Sequence, residues 1–550
     1  TVYDENFVTP DFLKGGIMYQ IFPDRFFKSN QEKKNVPTTR VLRKWGDTPY
    51  WNEEQMNGIW NNDYFGGDLK GIEEKLPYIA DLGVTCIYLN PIFESHSNHR
   101  YDTADYEKVD SLLGDENDLK SLCKKAKEKY GISIILDGVF SHTGCDSRYF
   151  NMYNHYNDVG AYNSKQSPYY SWYKFINWPD DYHSWWGIKL LPEVIEEDES
   201  YRNYICGKNG ILKKWLKCGI AGYRLDVADE LPDIFLDDLR KSVKSENPNA
   251  IIIGEVWEDA TNKFAYGQRR KYLLGEELDS VMNYPFADAV LDFVRFANGD
   301  SFFNSVMSIV ENYPPQVLSV LMNHIGTHDT VRAITRLAGE NPDGHDRTWQ
   351  FEHNTLSKFD YLRGVSMMKI ASLIQFTLPG VPSIYYGDEI GMRYVEGLKS
   401  VEGGYNRTGS RSPMQWDDST NAGFSSAPAS DLYITMDPGK DRPTAKAQMA
   451  DPDSLYHEVK KLIQIRQSSK ALLSRGTIEF VYAEKNQYPL AYVREAEGEK
   501  VLVIINPSDK EQSFPYSAEL KDALYTIGGK AESKDGTITI PAQSAGFYHI

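Results

Sequence analysis

Gly222-Tyr223-Arg224-Leu225-Asp226-Val227 is the stretch on which the fold turns. It closes an apolar run, Ile220 to Leu225, that carries one arginine and stops on a carboxylate. An unpaired buried ion costs several kcal/mol, so a buried strand finishing in Arg-x-Asp has to engage both charges. Two other apolar runs finish in the same way. Ile251-Ile252-Ile253-Gly254 runs into Glu255, and Met322-Asn323-His324-Ile325-Gly326 leads to His328-Asp329. Three strands that each deliver a carboxylate at the C-terminal end point to an active site at the mouth of a parallel barrel.

Working outward, strand-like and helix-like segments alternate. Ile17 to Phe22 reads as a first strand stopped by Pro23, and Val84 to Leu89 as a second. Ile132 to Leu136 reads as a third, ending at Asp137. Helical stripes lie between them. Ile72, Leu76 and Ile79 close at Gly83, with Pro77 expected at a kink or boundary, and Leu119, Leu122, Cys123 and Ala126 stop at Gly131. Ile211, Leu212, Trp215 and Leu216 form another stripe, Pro232 is placed to open the next helix, and later strands are expected near 278–282, 320–325 and 381–386. This rhythm predicts an α/β chain with a (β/α)8 TIM barrel over residues 16–142 and 201–465. Residues 143–200 are crowded with Tyr, Trp, Asn and Pro and read as an inserted subdomain after the third strand. After about residue 465 short β-branched runs between turns predict a C-terminal antiparallel β-sandwich, residues 466–550. The long loop over 27–67 is of a length usually reserved for function.

The bulk properties fit this division. A chain of 550 residues accommodates a barrel of about 250 residues or more with insertions and an appended domain. A net charge of −18 argues against nucleic acid or an anionic membrane as partner, since both need clustered Lys and Arg. No apolar run is long enough to span a bilayer, and no signal-peptide pattern is present. The five cysteines show no metal-ligand spacing, read as free buried thiols, and lean toward a reducing, cytoplasmic compartment. The 37 Tyr and 11 Trp include candidates for flat platforms under sugar rings.

Acids at neighbouring strand ends permit either a divalent metal site or glycoside hydrolysis with one carboxylate as nucleophile and one carboxylic acid as proton donor. Arg224 helps decide between them, because a cation beside Asp226 keeps it ionised and oriented while repelling a metal. His142 and His328 are uncharged donors at neutral pH, suited to sugar hydroxyls.

Asp137-Gly138-Val139-Phe140-Ser141-His142, Gly222 to Asp226, Gly254-Glu255-Val256-Trp257 and Gly326-Thr327-His328-Asp329-Thr330 resemble the four signature regions of the α-amylase family of glycoside hydrolases. Supporting matches are Tyr19 to Phe26, Phe65 to Leu69, Asn98 to Asp102, Tyr386-Gly387-Asp388-Glu389 and Arg411 to Trp416. The resemblance implies a retaining double displacement with Asp226 as nucleophile, Glu255 as acid and base with a raised pKa, and Asp329 holding the sugar hydroxyls. It also implies that Tyr101 stacks on that sugar, that His142, Arg224 and His328 bind it, that Trp257 lines the leaving-group side, and that Arg332 partners Asp329. Arg-Leu-Asp-Val-Ala-Asp-Glu at 224–230 and Leu191-Pro192-Glu193-Val194 are similar to the neopullulanase, cyclomaltodextrinase and maltogenic amylase group. The expected partner is thus an α-glucan oligosaccharide or polysaccharide, with α-1,4 and α-1,6 bonds both within reach. An exo-acting α-glucosidase or oligo-1,6-glucosidase, a transglycosylase and a non-catalytic glucan-binding protein stay open as alternatives.

That group usually carries an N-terminal β-domain that completes its neighbour's active site in a dimer. Residues 1–15 resemble the linker to such a domain, or its remnant, so a homo-oligomer has no support without it. No cofactor or metal is expected to be required. Ser141 stands where the family's calcium-binding asparagine often lies, and Lys28, Lys33 and Lys34 fall where an acidic loop for a second Ca2+ is expected.

Overall fold

The computed structural model describes residues 3–36, 64–265, 267–340, 345, 349, 353, 355–395, 408–426 and 436–550. Most of the 27–67 loop lies outside them. Eight strands form one parallel sheet: β1 (Met18–Ile21), β2 (Cys86–Leu89), β3 (Ser133–Gly138), β4 (Gly222–Leu225), β5 (Ile251–Gly254), β6 (Ser280–Val281), β7 (Met322–His324) and β8 (Val381–Tyr385). The order is β6-β5-β4-β3-β2-β1-β8-β7, and a parallel bridge between Met282 and Met322 brings the two ends together into a barrel. Helices cover the outside, so both faces of each strand are buried and the strands read as unbroken apolar runs. In β5, Ile251 and Ile253 cluster inside the barrel with Met18, Cys86, Tyr88, Ile135 and Met322, while Ile252 joins the shell beneath the helices. Gly222 has φ +143°, and a Cβ there would sit 2.1 Å from the Ile251 carbonyl oxygen. Only glycine lets β4 start so close to β5.

Three local expectations are corrected. Pro77 lies inside the helix Leu69–Leu82, which continues through it. The buried stripe of Leu69, Ile72, Leu76 and Ile79, capped by the Asp68 carboxylate on the Gly71 N–H at 2.6 Å, outweighs one lost backbone donor. Pro232 is the N-cap of the helix Asp233–Glu246, one place before its first turn. Asp137 lies within β3, which extends to Gly138.

Between β3 and β4 the chain builds short turns and a small pair of strands, Phe175–Asn177 and Asp181–Tyr182, ahead of the helices Glu199–Cys206 and Ile211–Leu216. Its ends are stitched to the barrel rim by Thr143 N–H to Pro192 O at 3.1 Å and Val194 N–H to Ser141 O at 3.0 Å. Five of its aromatic residues, Tyr149, Phe150, Trp172, Tyr173 and Tyr182, are buried, and they belong to one apolar cluster with the outer shell of the barrel. At the opposite end of the barrel Phe7 and Leu13 are buried, Leu13 among the residues filling the barrel interior.

The C-terminal strands form a five-stranded and a three-stranded antiparallel sheet. Leu502 and Ile504 from the first share an apolar cluster with Phe514, Ile538 and Ile540 from the second. All five cysteines are free thiols. Burial pushes Cys86 and Cys123 up to about 12 and raises the other three. Among the described residues no helix is long and apolar enough to cross a membrane.

Candidate active site

Alternation along β4 sends Tyr223 and Leu225 outward into the helical shell and Arg224 inward. Arg224 is fully buried and sits among three carboxylates. Its Nη1 donates to Asp137 Oδ1 at 2.8 Å and Asp226 Oδ1 at 3.0 Å, and its Nη2 lies 2.7 Å from Glu255 Oε2. One guanidinium therefore holds the ends of β3, β4 and β5 in register. The side chains of Asp226 and Glu255 retain 11% and 4% exposure, whereas that of Asp137 retains none. Asp137 is the backing of the cluster, and the other two acids border the opening.

The turn after β4 carries strain. Val227, a β-branched residue, has φ 38° and ψ 53° in the left-handed region, a conformation that costs about 1–3 kcal/mol. The geometry aims its N–H at Glu255 Oε2, 2.9 Å away. Glu255 Oε2 thus faces both an amide and the arginine, while Oε1 has the Tyr284 hydroxyl 3.5 Å away. Tyr284 in turn stacks on Trp257, with centroids 3.9 Å apart at 14°, so one face of that half-exposed indole is covered.

Asp329 follows β7. Its Oδ1 accepts from Arg411 Nη2 at 2.9 Å, and His328 Nε2 lies 3.3 Å from Oδ2. Arg411 Nε also donates to the His328 carbonyl at 2.8 Å, fixing both residues. Gln20 Nε2 donates to His328 Nδ1 at 2.8 Å, which leaves Nε2 to carry the proton that it donates to the Tyr101 hydroxyl at 2.6 Å. The Tyr101 hydroxyl donates to Asp137 Oδ2 at 2.8 Å, and its ring stacks on His328 at 5.5 Å and 6°. His142 is turned the other way. Its Nε2 donates to the Tyr101 carbonyl at 2.9 Å, its Nδ1 meets the Ser141 hydroxyl at 2.9 Å, and burial lowers its pKa to about 4. Its ring nitrogens therefore hold the Tyr101 loop.

Arg332 requires correction. It is buried, donates to the Tyr386 carbonyl and to Asp388 Oδ1 at 3.1 Å, and lies over the rings of Tyr385 and Tyr386 at 4.5 and 4.9 Å. Asp329 is partnered by Arg411 instead, because the chain from residue 408 folds back over the rim while Arg332 points beneath it. Sequence reasoning also gave no role to Asp137 or Tyr284. Asp137 carried the same signal as the three acids, a carboxylate closing an apolar run. Tyr284 carried none.

Burial raises the pKa of Asp226, Glu255 and Asp137, with Arg224 pulling each of them down. The carboxyls of Asp137, Asp226, Glu255 and Asp329 face the guanidiniums of Arg224 and Arg411, an excess of negative charge that favours retention of a proton.

The residues near the loop where a calcium ion is implied do not fit one. Asp24 accepts from Arg25 Nε at 2.8 Å and from the N–H groups of Phe65 and Gly66 at 3.0 and 3.1 Å, and Asp68 pairs with Lys33 and Ser29. A divalent ion there would meet the Lys33 ammonium. Among the described residues no three His, Cys, Asp or Glu side chains are grouped to hold a metal.

Residues 20–476 match the family described as "Alpha amylase, catalytic domain", and residues 490–545 match "Alpha-amylase SusG C-terminal domain". An amylopullulanase of Thermoanaerobacter thermohydrosulfuricus is 40% identical over 441 residues, which are 71% of this chain and 28% of that protein. The chain thus spans under a third of that relative's length. A cyclomaltodextrinase of Geobacillus thermopakistaniensis is 32% identical over 563 residues, covering 99% of this chain and 78% of that one. The solved type III pullulan hydrolase from Thermococcus kodakarensis superimposes with a TM-score of 0.73 at 27% identity, covering 100% of this chain and 84% of that one.

Proposed function

The chain belongs to the α-amylase family of glycoside hydrolases, and within it we propose a retaining hydrolase that cuts α-1,4 and α-1,6 glucosidic bonds in pullulan, maltodextrins and cyclodextrins. One observation carries the reading. The Arg224 guanidinium touches both Asp226 and Glu255, so the two acids are brought together from the ends of consecutive strands. In a retaining mechanism one carboxylate attacks the anomeric carbon while the other protonates the departing oxygen. Asp226, paired with Arg224, attacks and forms a glycosyl ester. Glu255 keeps Oε2 on the Val227 amide and delivers its proton from Oε1 to the leaving hydroxyl. The resulting Glu255 carboxylate then takes a proton from water as that water attacks the ester, which frees Asp226. Asp329, oriented by Arg411, holds the hydroxyls of the distorted sugar, and Tyr101 stacks on it. The printed names of the relatives, an amylopullulanase, a cyclomaltodextrinase and a pullulan hydrolase, support this substrate class. The α-1,6 bond is included because the two acids contact only the anomeric carbon and the leaving oxygen.

Incubation with pullulan tests both claims. Panose, isopanose, maltotriose and glucose each identify a different bond or mode of attack, and Asp226→Ala is expected to lower the rate by about 10⁴-fold or more. An Asp226→Ala protein with unaltered activity would overturn the assignment.

A further inference from the structure

We propose that His324 is a positioning residue for the acid: from inside the barrel it clamps Tyr284 against Trp257, and so keeps the Tyr284 hydroxyl aimed at Glu255 Oε1, the oxygen that gives up the proton. This deepens the glucan-hydrolase reading above and rests on it.

Three rings stand at the ends of consecutive strands, Trp257 after β5, Tyr284 after β6 and His324 in β7. Met322 packs in the barrel interior, and alternation along β7 turns His324 the same way. Its ring meets that of Tyr284 at a right-angled contact, 4.5 Å between centroids and 75° between planes, while Tyr284 is stacked on Trp257. Such pairs attract because the positive edge of one ring meets the negative face of the other. The backbone beneath is tied to β7 as well. Asn283 N–H donates to Met322 O at 2.9 Å, and Asn283 Nδ2 donates to Asn323 Oδ1 at 2.9 Å. Tyr284 is thus fixed at its root by Asn283 and along its ring by His324 and Trp257.

The imidazole itself does no acid–base work. Both of its nitrogens are buried with no hydrogen-bond partner among the described residues, and burial, together with Arg224 and Arg336, pushes its pKa down to about 3. A leucine would fill the same space without stranding two polar atoms. The contact that only a ring makes here is the one to Tyr284.

Glu255 shows what that contact is for. Its Oε2 is held by Arg224 and the Val227 amide, whereas Oε1 faces the Tyr284 hydroxyl at 3.5 Å. As the proton passes from Oε1 to the leaving oxygen, Oε1 gains charge and the Tyr284 O–H donates to it. The distance is long in the free site and shortens as that charge develops. An interaction stronger in the transition state than in the ground state raises kcat and leaves KM alone. A donor to the ionised carboxylate also lowers the pKa of Glu255. The other groups facing Glu255 are Arg224 from β4, Asp137 from β3, Tyr88 from β2, and Asp226 and Asp329 at the ends of β4 and β7. None of them is removed by a change at His324.

The test compares His324→Leu, His324→Phe, Tyr284→Phe and the double variant His324→Leu/Tyr284→Phe with the wild-type chain on pullulan and on a seven-glucose maltodextrin. Tyr284→Phe is expected to lower kcat about 30-fold and His324→Leu about tenfold, with KM within about twofold. The double variant should lose no more than Tyr284→Phe alone, within about twofold. In each of these three the alkaline limb of kcat/KM should move up by about 0.5 pH unit, a change that loosened packing elsewhere in the barrel would not produce. His324→Phe, which keeps a ring against Tyr284, should restore at least about half of the wild-type kcat and the wild-type limb, and it decides the matter if His324→Leu does not fold. An unchanged kcat or pH limb in His324→Leu, multiplied losses in the double variant, or a loss in His324→Phe as large as that in His324→Leu overturns the clamp while leaving the hydrolase reading intact. A wild-type chain that cleaves neither glucan overturns that reading, and the clamp with it.

Discussion

Arg224 and Arg332 are both buried arginines at the rim of the same barrel, each beside carboxylates whose pKa burial raises, yet they serve different ends. Arg224 sits among Asp137, Asp226 and Glu255, and two of those acids border an opening. Arg332 pairs with Asp388, its one carboxylate partner among the described residues, and is closed over by Tyr385 and Tyr386. Next to it Glu389 accepts from the hydroxyls of Tyr19 and Tyr78 at 2.8 and 2.7 Å and from the Gly387 N–H at 2.8 Å. Burial pushes Asp388 up to about 6 and Glu389 up to about 7. A shifted carboxyl is therefore no mark of catalysis by itself. The distinguishing feature is that Asp226 and Glu255 retain some exposure beside an opening, whereas Asp388 and Glu389 are closed over.

The largest effect should come from the open cluster. Glu255→Gln is expected to lower kcat by about 10²–10⁴-fold, because it removes the proton donor while keeping the shape, with the melting temperature close to wild type. Arg332→Ala should do the reverse. Loss of one partner from a buried pair costs about 3–5 kcal/mol of stability, read by denaturant unfolding, while kcat per folded molecule stays within a few-fold. A large fall in kcat at full stability for Arg332→Ala would erase the contrast between the two clusters.

A smaller effect concerns pH. Glu389 has a folded pKa raised from 4.5 to about 7, so the native state holds its proton more tightly than the unfolded chain. Its contribution to stability is full below pH 4.5 and is lost as the pH rises through about 7. Glu389→Gln, which cannot ionise, should flatten that part of the decline in melting temperature between pH 5 and 7. The smallest effect expected is that of a chelator. Since Lys33 occupies Asp68, EDTA should move the melting temperature by less than about 1 °C, whereas a tightly bound native-state metal would stabilise the fold measurably.

What was legible in the sequence was local. Strands buried on both faces announced themselves as runs such as Ile251-Ile252-Ile253, and the acids after them followed from the cost of a buried charge. Pro77 is a helix breaker by propensity alone, and the packing of Leu69, Ile72, Leu76 and Ile79 that overrides it is a tertiary property. Arg411 could not be matched to Asp329, because 82 residues separate them and neither periodicity nor charge pattern reports on a loop folding back over the rim. The choice between Arg332 and Arg411 as the partner of Asp329 depends on which direction a side chain leaves its turn, a property of backbone angles that composition does not carry. The left-handed Val227 and Trp186 were invisible for the same reason.

The five free cysteines have a practical consequence. A thiol with a pKa near 12 presents about one part in 10⁵ as thiolate at neutral pH, and thiolate is the species that alkylating and disulfide-exchange reagents attack. Cys86 within β2 and Cys123 beneath its helix therefore stay silent toward such reagents until the barrel opens. Their labelling rate is a built-in gauge of global unfolding, free of any engineered dye.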